Sequence, residues 1–357
     1  MSDIHTILRF ILLPFSLLYG LITDVRNFLY DKNIFQVTVF DKVIINVGNL
    51  TVGGTGKSPH VEYLIRLLYP KFHLVSLSRG YGRKTKGFII ADQSATAESI
   101  GDEPMQFHQK FQNEVQVTVG EKRAEALTNI YEKLPFTDIV ILDDAFQHRA
   151  VKASLNIVLM DFSRPIYEDF TFPAGRLRER RHGAKRADIL IVTKCPNDLS
   201  KTEQEQIQYQ LKPYLKATTP IFFTGIQYST PKPLFENTNT TFSNTLLLVS
   251  GIANPKPFEA YCRKQFSVIK HLTFKDHHLF TEKDIAEMVD TFKHIQNQEK
   301  GILMTEKDMV KFKKFIKHEA LQEIPLFYLP IEIYFLNQAQ QQFNDLILQH
   351  ISIASNR

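Results

Sequence analysis

Short apolar runs and segments with helical apolar spacing alternate along most of this chain. Nearly all-apolar runs predict buried strands, and apolar residues three to four positions apart predict helices. Strands are predicted at residues 35–40, 42–47, 72–76, 87–91, 115–119, 138–142, 155–160, 189–193 and 221–223, and helices at 59–68, 103–112, 122–134 and 201–215. Strands this apolar are typical of a parallel sheet covered by helices on both faces. The pattern therefore predicts a doubly wound α/β domain.

A second, smaller alternation follows a segment rich in Thr, Asn, Ser and Pro at residues 228–243, which predicts a linker. Strands are predicted beyond it at 245–249, 268–273, 301–304 and 326–330, and helices at 257–264, 281–294, 309–316 and 338–350. We therefore expect an N-terminal helix at residues 1–30, a first α/β domain at 31–228, a linker at 229–243 and a smaller α/β domain at 244–357.

The N-terminal segment contains an apolar run at residues 10–22. This run is shorter than the roughly 20 residues that span a bilayer, and no small-residue cleavage site follows it. Helical spacing gathers its apolar residues on one face: Ile4, Ile7, Leu8, Ile11, Phe15, Leu18, Tyr19 and Ile22. From the pattern alone, this face could lie in a membrane interface or pack on the body of the protein.

Composition narrows the function classes only slightly. A chain of 357 residues with 43% hydrophobic content can bury a large core, and its length suggests two domains. The net charge of +5 suits an anionic ligand or membrane surface but is too small to indicate a nucleic-acid partner. The two cysteines, Cys195 and Cys262, are isolated, so neither a disulfide framework nor a zinc site is predicted.

A glycine-rich turn between the strand at 42–47 and the helix at 59–68 carries the clearest chemistry. Its glycines allow backbone N–H groups to converge on phosphate oxygens, the lysine adds a positive charge, and the serine hydroxyl can bind Mg²⁺. Threonine stands where the strict Walker A pattern has its first glycine. The predicted nucleotide-binding residues are Thr51, Val52, Gly53, Gly54, Thr55, Gly56, Lys57 and Ser58.

Acidic residues occur at two further points in the first domain. Asp143 and Asp144 end an apolar strand, as do the carboxylates that lie beside Mg²⁺ in phosphate-loop enzymes, although strands also often end in Asp at a turn. Asp102 and Glu103 stand at the head of a predicted helix. Asp102 could cap that helix or accept a proton from a substrate hydroxyl, and the residues alone leave both open.

Basic and histidine clusters have weaker signals. Arg176, Arg178, Arg180, Arg181, Lys185 and Arg186 crowd one segment, which predicts either a solvated face or phosphate-binding guanidiniums. The loop at 78–83 is a second cationic glycine loop after a strand, where α/β proteins form ligand sites. The pair His277 and His278 lacks metal-ligand spacing, and such pairs are more often structural than catalytic.

Taken together, these motifs resemble the tetraacyldisaccharide 4'-kinase family, the lipid A 4'-kinases of Gram-negative bacteria. The matching segments run in family order over most of the chain: VGNLTVGGTGKSP at 47–59, SRGYGR at 78–83, GDEP at 101–104, DDAFQHR at 143–149, PAGRLRE at 173–179, DHH at 276–278 and TEKD at 305–308. Ser58 and Ala145 stand where the family commonly has Thr and Gly. Ser58 keeps the Mg²⁺-binding hydroxyl, and Ala145 needs only backbone angles that alanine tolerates, so neither departure puts activity in doubt.

The resemblance implies an ATP- and Mg²⁺-dependent kinase. Its acceptor would be the 4'-hydroxyl of a tetraacyl glucosamine disaccharide 1-phosphate, its product lipid IVA, and its location the cytoplasmic face of the inner membrane as a peripheral protein. A water-insoluble acceptor favours the membrane-interface alternative for the N-terminal helix. No nucleic-acid partner is expected.

The resemblance also implies roles for individual residues. Asp102, paired with His277, would be the base, and Lys57 and Arg178 would act on the transferred phosphate. Ser58, Glu103 and either Asp143 or Asp144 would hold Mg²⁺. The remaining matched residues would contact the acceptor: Arg79, Tyr81, Arg83, Gln147, His148, Arg149 and Arg176.

Two alternatives from other classes remain. A P-loop GTPase or metallochaperone would explain the phosphate loop. The segment TKCP at 193–196 faintly resembles a guanine-binding motif, but Pro196 replaces the acid of that motif. A nucleotide-gated binding module at a membrane would leave the acids at 102 and 103 unexplained. Phosphate transfer to an acceptor distinguishes the kinase from both.

Overall fold

A computed structural model describes residues 2–234, 241–276, 278–315 and 317–355, with no side-chain description for residues 2–8 and 355. Its helices are α1 (Ser2–Asp31), α2 (Lys57–Leu68), α3 (Ala97–Ile100), α4 (Asp102–Phe111), α5 (Arg123–Lys133), α6 (Lys201–Leu211), α7 (Lys256–Gln265), α8 (Glu282–Lys293), α9 (Glu306–Phe312) and α10 (Gln340–Ser355). Its strands are β1 (Val43–Asn49), β2 (Leu74–Ser78), β3 (Ile89–Ile90), β4 (Val115–Val119), β5 (Ile139–Asp143), β6 (Leu155–Asp161), β7 (Ile189–Thr193), β8 (Ile221–Tyr228), β9 (Lys232–Pro233), β10 (Thr245–Ser250), β11 (Ser267–Thr273), β12 (Gly301–Thr305), β13 (Leu326–Leu329) and β14 (Ile331–Phe335).

The larger sheet has nine strands in the order β14-β8-β7-β6-β1-β5-β2-β4-β3. Its strands pair in parallel except at the two edges, where β14 and β3 run antiparallel to their neighbours. β1 lies between β5 and β6, and every residue of β1 and β5 is buried. The predicted doubly wound, mostly parallel sheet is confirmed. The carboxyl ends of its parallel strands meet at one edge, which is where α/β proteins bind ligands.

The smaller sheet has five strands in the order β11-β10-β12-β13-β9. Two differences from the predicted boundaries appear. β9 lies within the predicted linker at 229–243 and pairs with β13, while residues 235–240 of that linker lie outside the described residues. β14 pairs with β8 of the larger sheet, and Phe343 and Ile347 of α10 are buried in a core cluster shared with β1.

The prediction that residues 244–357 form one domain was therefore wrong at its C-terminal end. Residues 331–355 return to the larger domain. Pro330 separates β13 from β14, and the side-chain pattern of a strand does not encode which of two sheets it joins. The strand predicted at 35–40 was also wrong, because only the isolated bridge between Thr38 and Val151 forms there.

Helix α1 contacts the body of the protein through its small and polar side chains. Ser16, Thr23 and Asn27 are buried, and Gly20 lies so close to Arg180 that an added Cβ would be 2.8 Å from that residue's Nε. Thr171 Oγ1 donates a hydrogen bond to the Ser16 carbonyl over 2.8 Å. Among the described side chains of α1, nine large apolar ones are exposed: Phe10, Ile11, Phe15, Leu17, Leu18, Leu21, Ile22, Val25 and Phe28.

The sequence left open whether the apolar face of α1 packs on the body of the protein or lies in a membrane interface. Most of its described apolar side chains point away from the body, and Phe15 is 60% exposed. Across the described part of the chain, every helix falls short of the combined length and apolarity needed to cross a bilayer.

Candidate active site

The glycine-rich loop connects β1 to α2, so its backbone amides lie at the N-terminus of a helix. Gly53 and Gly56 have φ angles of +111° and +83°, in the left-handed region that favours glycine. A Cβ built on Gly53 or Gly54 would meet no atom within 4 Å, so the space next to both residues is open. A convergent set of amides at a positive helix end is suited to phosphate groups.

Hydrogen bonds from neighbouring segments hold both rims of this loop. The Val52 amide donates to the Arg176 carbonyl over 2.7 Å, and the buried Thr55 hydroxyl accepts a hydrogen bond of 2.9 Å from Asn49. Lys194 contacts the Gly54 carbonyl and forms an ion pair of 2.7 Å with Asp161. These contacts fix the loop without using the Lys57 ammonium.

The two aspartates that end and follow β5 have opposite electrostatic environments. Asp143 is 2% exposed, and its Oδ1 accepts no hydrogen bond from the described residues. Burial, together with the nearby Glu103 carboxylate, raises the pKa of Asp143 to about 8. Arg178 donates to both oxygens of Asp144, over 2.8 and 3.1 Å. Although burial opposes ionisation of Asp144, the positive charges of Lys57 and Arg178 lower its pKa.

The Asp143 environment fits a divalent cation. Ser58 Oγ donates a hydrogen bond of 3.3 Å to Glu103 Oε1, which brings the helix hydroxyl and a second carboxylate to the same end of α2. In residues whose placement is described, no group of three His, Cys, Asp or Glu could hold a metal by itself. Mg²⁺ at phosphate-transfer sites needs no such cage, because it takes one or two carboxylates and completes its shell with phosphates and water.

Asp102 is the first residue of α4. The N-cap position is occupied by Gly101, so Asp102 does not have the capping role that the sequence left open. Its side chain is 12% exposed, and its Oδ2 lies 3.8 Å from Lys311 Nζ of α9. His277 lies outside the described residues, so its pairing with Asp102 stays a prediction.

Five of the seven residues expected to contact the acceptor fall into two groups. Arg79 and Tyr81 follow β2 and are exposed, and Arg176 is exposed beside the phosphate loop. Arg83 is instead buried, with hydrogen bonds of 2.6 Å to the Gly87 carbonyl and to Glu121. Arg149 donates to the Asn27 carbonyl over 2.7 Å and to Asp31 over 2.5 Å. Arg83 therefore holds its own loop, and Arg149 holds α1 in place.

Gln147 and His148 lie between the β5 carboxylates and α1. Gln147 Nε2 donates to the Asn49 carbonyl over 2.9 Å and to Glu179 over 3.0 Å. Burial, together with the positive charges of Arg123, Arg79 and Arg26, lowers the pKa of His148 to about 4. His148 is therefore neutral at physiological pH and can either donate or accept a hydrogen bond.

The sequence analysis missed Arg123, a buried cation near Asp143 and Asp144. Arg123 is 3% exposed, and its Nε and Nη2 atoms have no hydrogen-bond partner among the residues that the structure describes. Burial lowers its pKa to about 10, while Asp143 and Asp144 oppose that shift. The signal was a positive charge at the start of α5, where the helix dipole disfavours it.

Comparisons with known proteins agree with this arrangement. Residues 8–352 match the family model described as tetraacyldisaccharide-1-P 4'-kinase. The chain belongs to this family. A tetraacyldisaccharide 4'-kinase from Flavobacterium johnsoniae is 45% identical over 97% of this chain and 98% of its own length. One from Bacteroides thetaiotaomicron is 39% identical over 95% of this chain and 92% of its own.

A solved structure supports the fold of the whole chain. LpxK from Aquifex aeolicus, crystallised in complex with ATP, is 28% identical and superposes with a TM-score of 0.74. The match covers 96% of this chain and 99% of that chain. The similarity therefore includes both sheets and extends beyond the phosphate loop that kinases of this family share with other nucleotide-binding proteins.

Proposed function

We propose that this protein transfers the γ-phosphate of ATP to the 4'-hydroxyl of a tetraacyl glucosamine disaccharide 1-phosphate. Three features carry the proposal: the open phosphate loop, the buried Asp143 whose Oδ1 has no described partner, and Asp102, whose neighbour Glu103 accepts a hydrogen bond from Ser58 of the loop. A GTPase needs the first two of these but has no use for a base directed at an acceptor hydroxyl. Family membership and the ATP complex of the Aquifex aeolicus relative favour the kinase.

The proposed reaction follows from the placement of the charges. The loop amides and Lys57 would bind the phosphates, and Ser58, Glu103 and Asp143 would hold Mg²⁺, which neutralises phosphate charge when bound. Asp102 accepts the proton of the acceptor hydroxyl. At the same time the hydroxyl oxygen forms a bond to the γ-phosphorus, and the bond from this phosphorus to the ADP oxygen breaks. Arg178 is directed by Asp144 and is available to compensate charge that develops on the transferred group.

We further propose that the exposed face of α1 lies in the cytoplasmic surface of the inner membrane. A loop of the larger domain extends this face, because the exposed Phe172 ring packs edge-to-face on Tyr19 at 6.0 Å. The Phe170 ring lies 4.6 Å from the Arg9 guanidinium. Apolar rings flanked by arginines suit an interface in which acyl chains meet anionic headgroups.

Phosphate transfer to a purified lipid acceptor tests the activity. We expect the Asp102→Asn variant to bind ATP normally and to lose about a hundredfold in kcat, since Asn preserves the shape but accepts no proton. Asp92→Asn is the control, because Asp92 is an exposed carboxylate of the same domain. ATP hydrolysis that is unchanged by the lipid would favour the GTPase alternative, and full activity of Asp102→Asn would exclude Asp102 as the base.

Vesicle co-sedimentation tests the membrane proposal. Replacing Ile11 and Phe15 together with Asp should release the protein from anionic vesicles, because burial of each side chain contributes roughly 1.5 to 3 kcal/mol. ATP affinity and melting temperature should stay unchanged, since both side chains are exposed. Phe136→Asp, a change at an exposed phenylalanine outside α1, should sediment like the wild type. A double variant that sediments normally would refute the proposal.

A further inference from the structure

Two lysines, the buried Lys311 and the partly buried Lys110, connect helix α4 of the larger domain to helix α9 of the smaller one. Lys311 of α9 is 1% exposed, and its Nζ lies 3.8 Å from Asp102 Oδ2 and 3.5 Å from Asp308 Oδ1. Lys110 of α4 lies 2.6 Å from Glu62 of α2 and 2.6 Å from Glu306 of α9. Both lysines are thus bracketed by carboxylates from the two domains.

The two lysines differ in how well they are hydrogen bonded. Lys110 donates to both of its carboxylates. Lys311 Nζ makes no hydrogen bond to any described residue, although it is the more deeply buried of the two. Burying an ammonium group without hydrogen bonds is unfavourable, so a residue selected for stability alone would be apolar here. Lys110 already bridges the two helices, and the ion pair of Lys311 with Asp308 lies within α9, so neither accounts for the approach of the Lys311 ammonium to Asp102.

The partners of Lys311 are held with unequal rigidity. Asp308 Oδ2 accepts hydrogen bonds of 2.8 Å from the Gly251 amide and 2.5 Å from Thr305 Oγ1, so this carboxylate is fixed within the smaller domain. Lys311 is thereby oriented from its own domain, and its ammonium extends toward the acid on the other side. The geometry gives Lys311 a fixed position from which to attract one oxygen of Asp102.

We propose that Lys311 is a positioning residue for Asp102, and this inference rests on the proposed function. Attraction of Oδ2 by the ammonium orients the carboxylate, so that the other oxygen, Oδ1, is directed toward the acceptor hydroxyl. Since Lys311 belongs to α9, the orientation of the base depends on the placement of the smaller domain. The TEKD segment at 305–308 then serves the reaction indirectly, by fixing Asp308 and with it Lys311.

A double-mutant cycle with Asp102 tests this role. Lys311→Met should lower kcat by about 10- to 100-fold with little change in the KM for ATP, because misplacing a catalytic group by 1 Å is enough to cost this much. In the Asp102→Asn background, the same change should lower kcat by less than about threefold, since no base remains to be oriented. Lys311→Arg, which keeps the charge, should recover part of the loss.

Lys110→Met is the matched control, because Lys110 is a partly buried lysine of the same helix pair whose described ion pairs are with Glu62 and Glu306 and do not include Asp102. Its effect on kcat should be the same factor in both backgrounds. If Lys311→Met does not fold, the double variant Asp308→Asn/Lys311→Met takes its place in the cycle, because it removes both charges of the ion pair together.

Equal losses from Lys311→Met in the wild-type and Asp102→Asn backgrounds would overturn the inference. A rise in the KM for ATP with unchanged kcat would overturn it as well. Failure of the proposed function gives a different result, in which Asp102→Asn alone has wild-type kcat. The two failures are therefore distinguishable within one set of variants.

Discussion

Replacing Asp143 with Asn should stabilise the metal-free protein while removing its activity. Asp143 is fully buried at the end of β5 and its Oδ1 has no partner among the described residues, so ionisation is unfavourable without a cation. Burial and the nearby Glu103 raise the pKa of Asp143 from 3.8 to about 8. The unfolded chain releases this proton near pH 4 and the folded chain near pH 8, so this group's contribution to stability falls as the pH rises between those values.

The size of the effect follows from the same two pKa values. Each pH unit within this window costs about 1.4 kcal/mol of unfolding free energy. Between pH 5 and pH 8, the advantage of Asp143→Asn over the wild type should therefore grow by as much as about 4 kcal/mol. An amide does not titrate, so the variant lacks this contribution at every pH.

Urea unfolding in EDTA at pH 5 and pH 8 measures the difference, and Asp144→Asn is the matched control. Asn tolerates the φ angle of +52° at position 144, but the change deprives Arg178 of its bidentate partner. The pKa of Asp144 is lowered, so its ionised form stabilises the fold above pH 4, and Asp144→Asn should destabilise at both pH values. The reasoning would be refuted if the Asp143→Asn variant were less stable than the wild type at pH 8 in EDTA.

Three further outcomes are expected. Lys57→Ala should lower kcat about a hundredfold with the protein folded by circular dichroism, because we propose that the Lys57 ammonium, which lies 3.7 Å from Asp144, binds the phosphates. Glu103→Gln should raise the Mg²⁺ concentration for half-maximal rate and, by removing a repelling charge, lower the pKa of Asp143 in the folded state, so that the metal-free variant loses less stability than the wild type between pH 4 and pH 8. Arg149→Met should accelerate proteolytic removal of α1, since two hydrogen bonds to that helix are lost, while kcat on detergent-dispersed acceptor stays unchanged.

The phosphate loop and the larger sheet were predictable from the sequence because local patterns determine them. β1, the glycines and the start of α2 are contiguous, so spacing alone places the amides and Lys57 at a helix N-terminus. Asp143 could be placed for a similar reason, since the ends of parallel strands meet at one edge. What the sequence could not give was the difference between Asp143 and Asp144, which depends on Arg178 reaching one carboxylate from 34 residues away.

Contacts between distant segments explain the remaining differences. β14 joins the larger sheet although it directly follows β13 of the smaller one, and only the pairing with β8 decides this. Lys311 reads in the sequence as a surface lysine on a short helix, yet it is buried against an acid 209 positions earlier. Whether a charged side chain is buried depends on the tertiary structure, so the periodicity of apolar residues along the sequence does not predict it.

Helix α1 reverses the usual relation between hydrophobicity and burial. Periodicity predicted an apolar face, and soluble proteins normally turn such a face inward. Here a stripe of small and polar residues at four-, three- and four-residue intervals, Ser16, Gly20, Thr23 and Asn27, makes the contact with the body. Phe10, Leu17 and seven other large apolar residues of this helix remain exposed, and clusters of exposed apolar residues are typical of interaction sites. Water is therefore a poor environment for this face, which supports the proposal that a lipid surface is its partner.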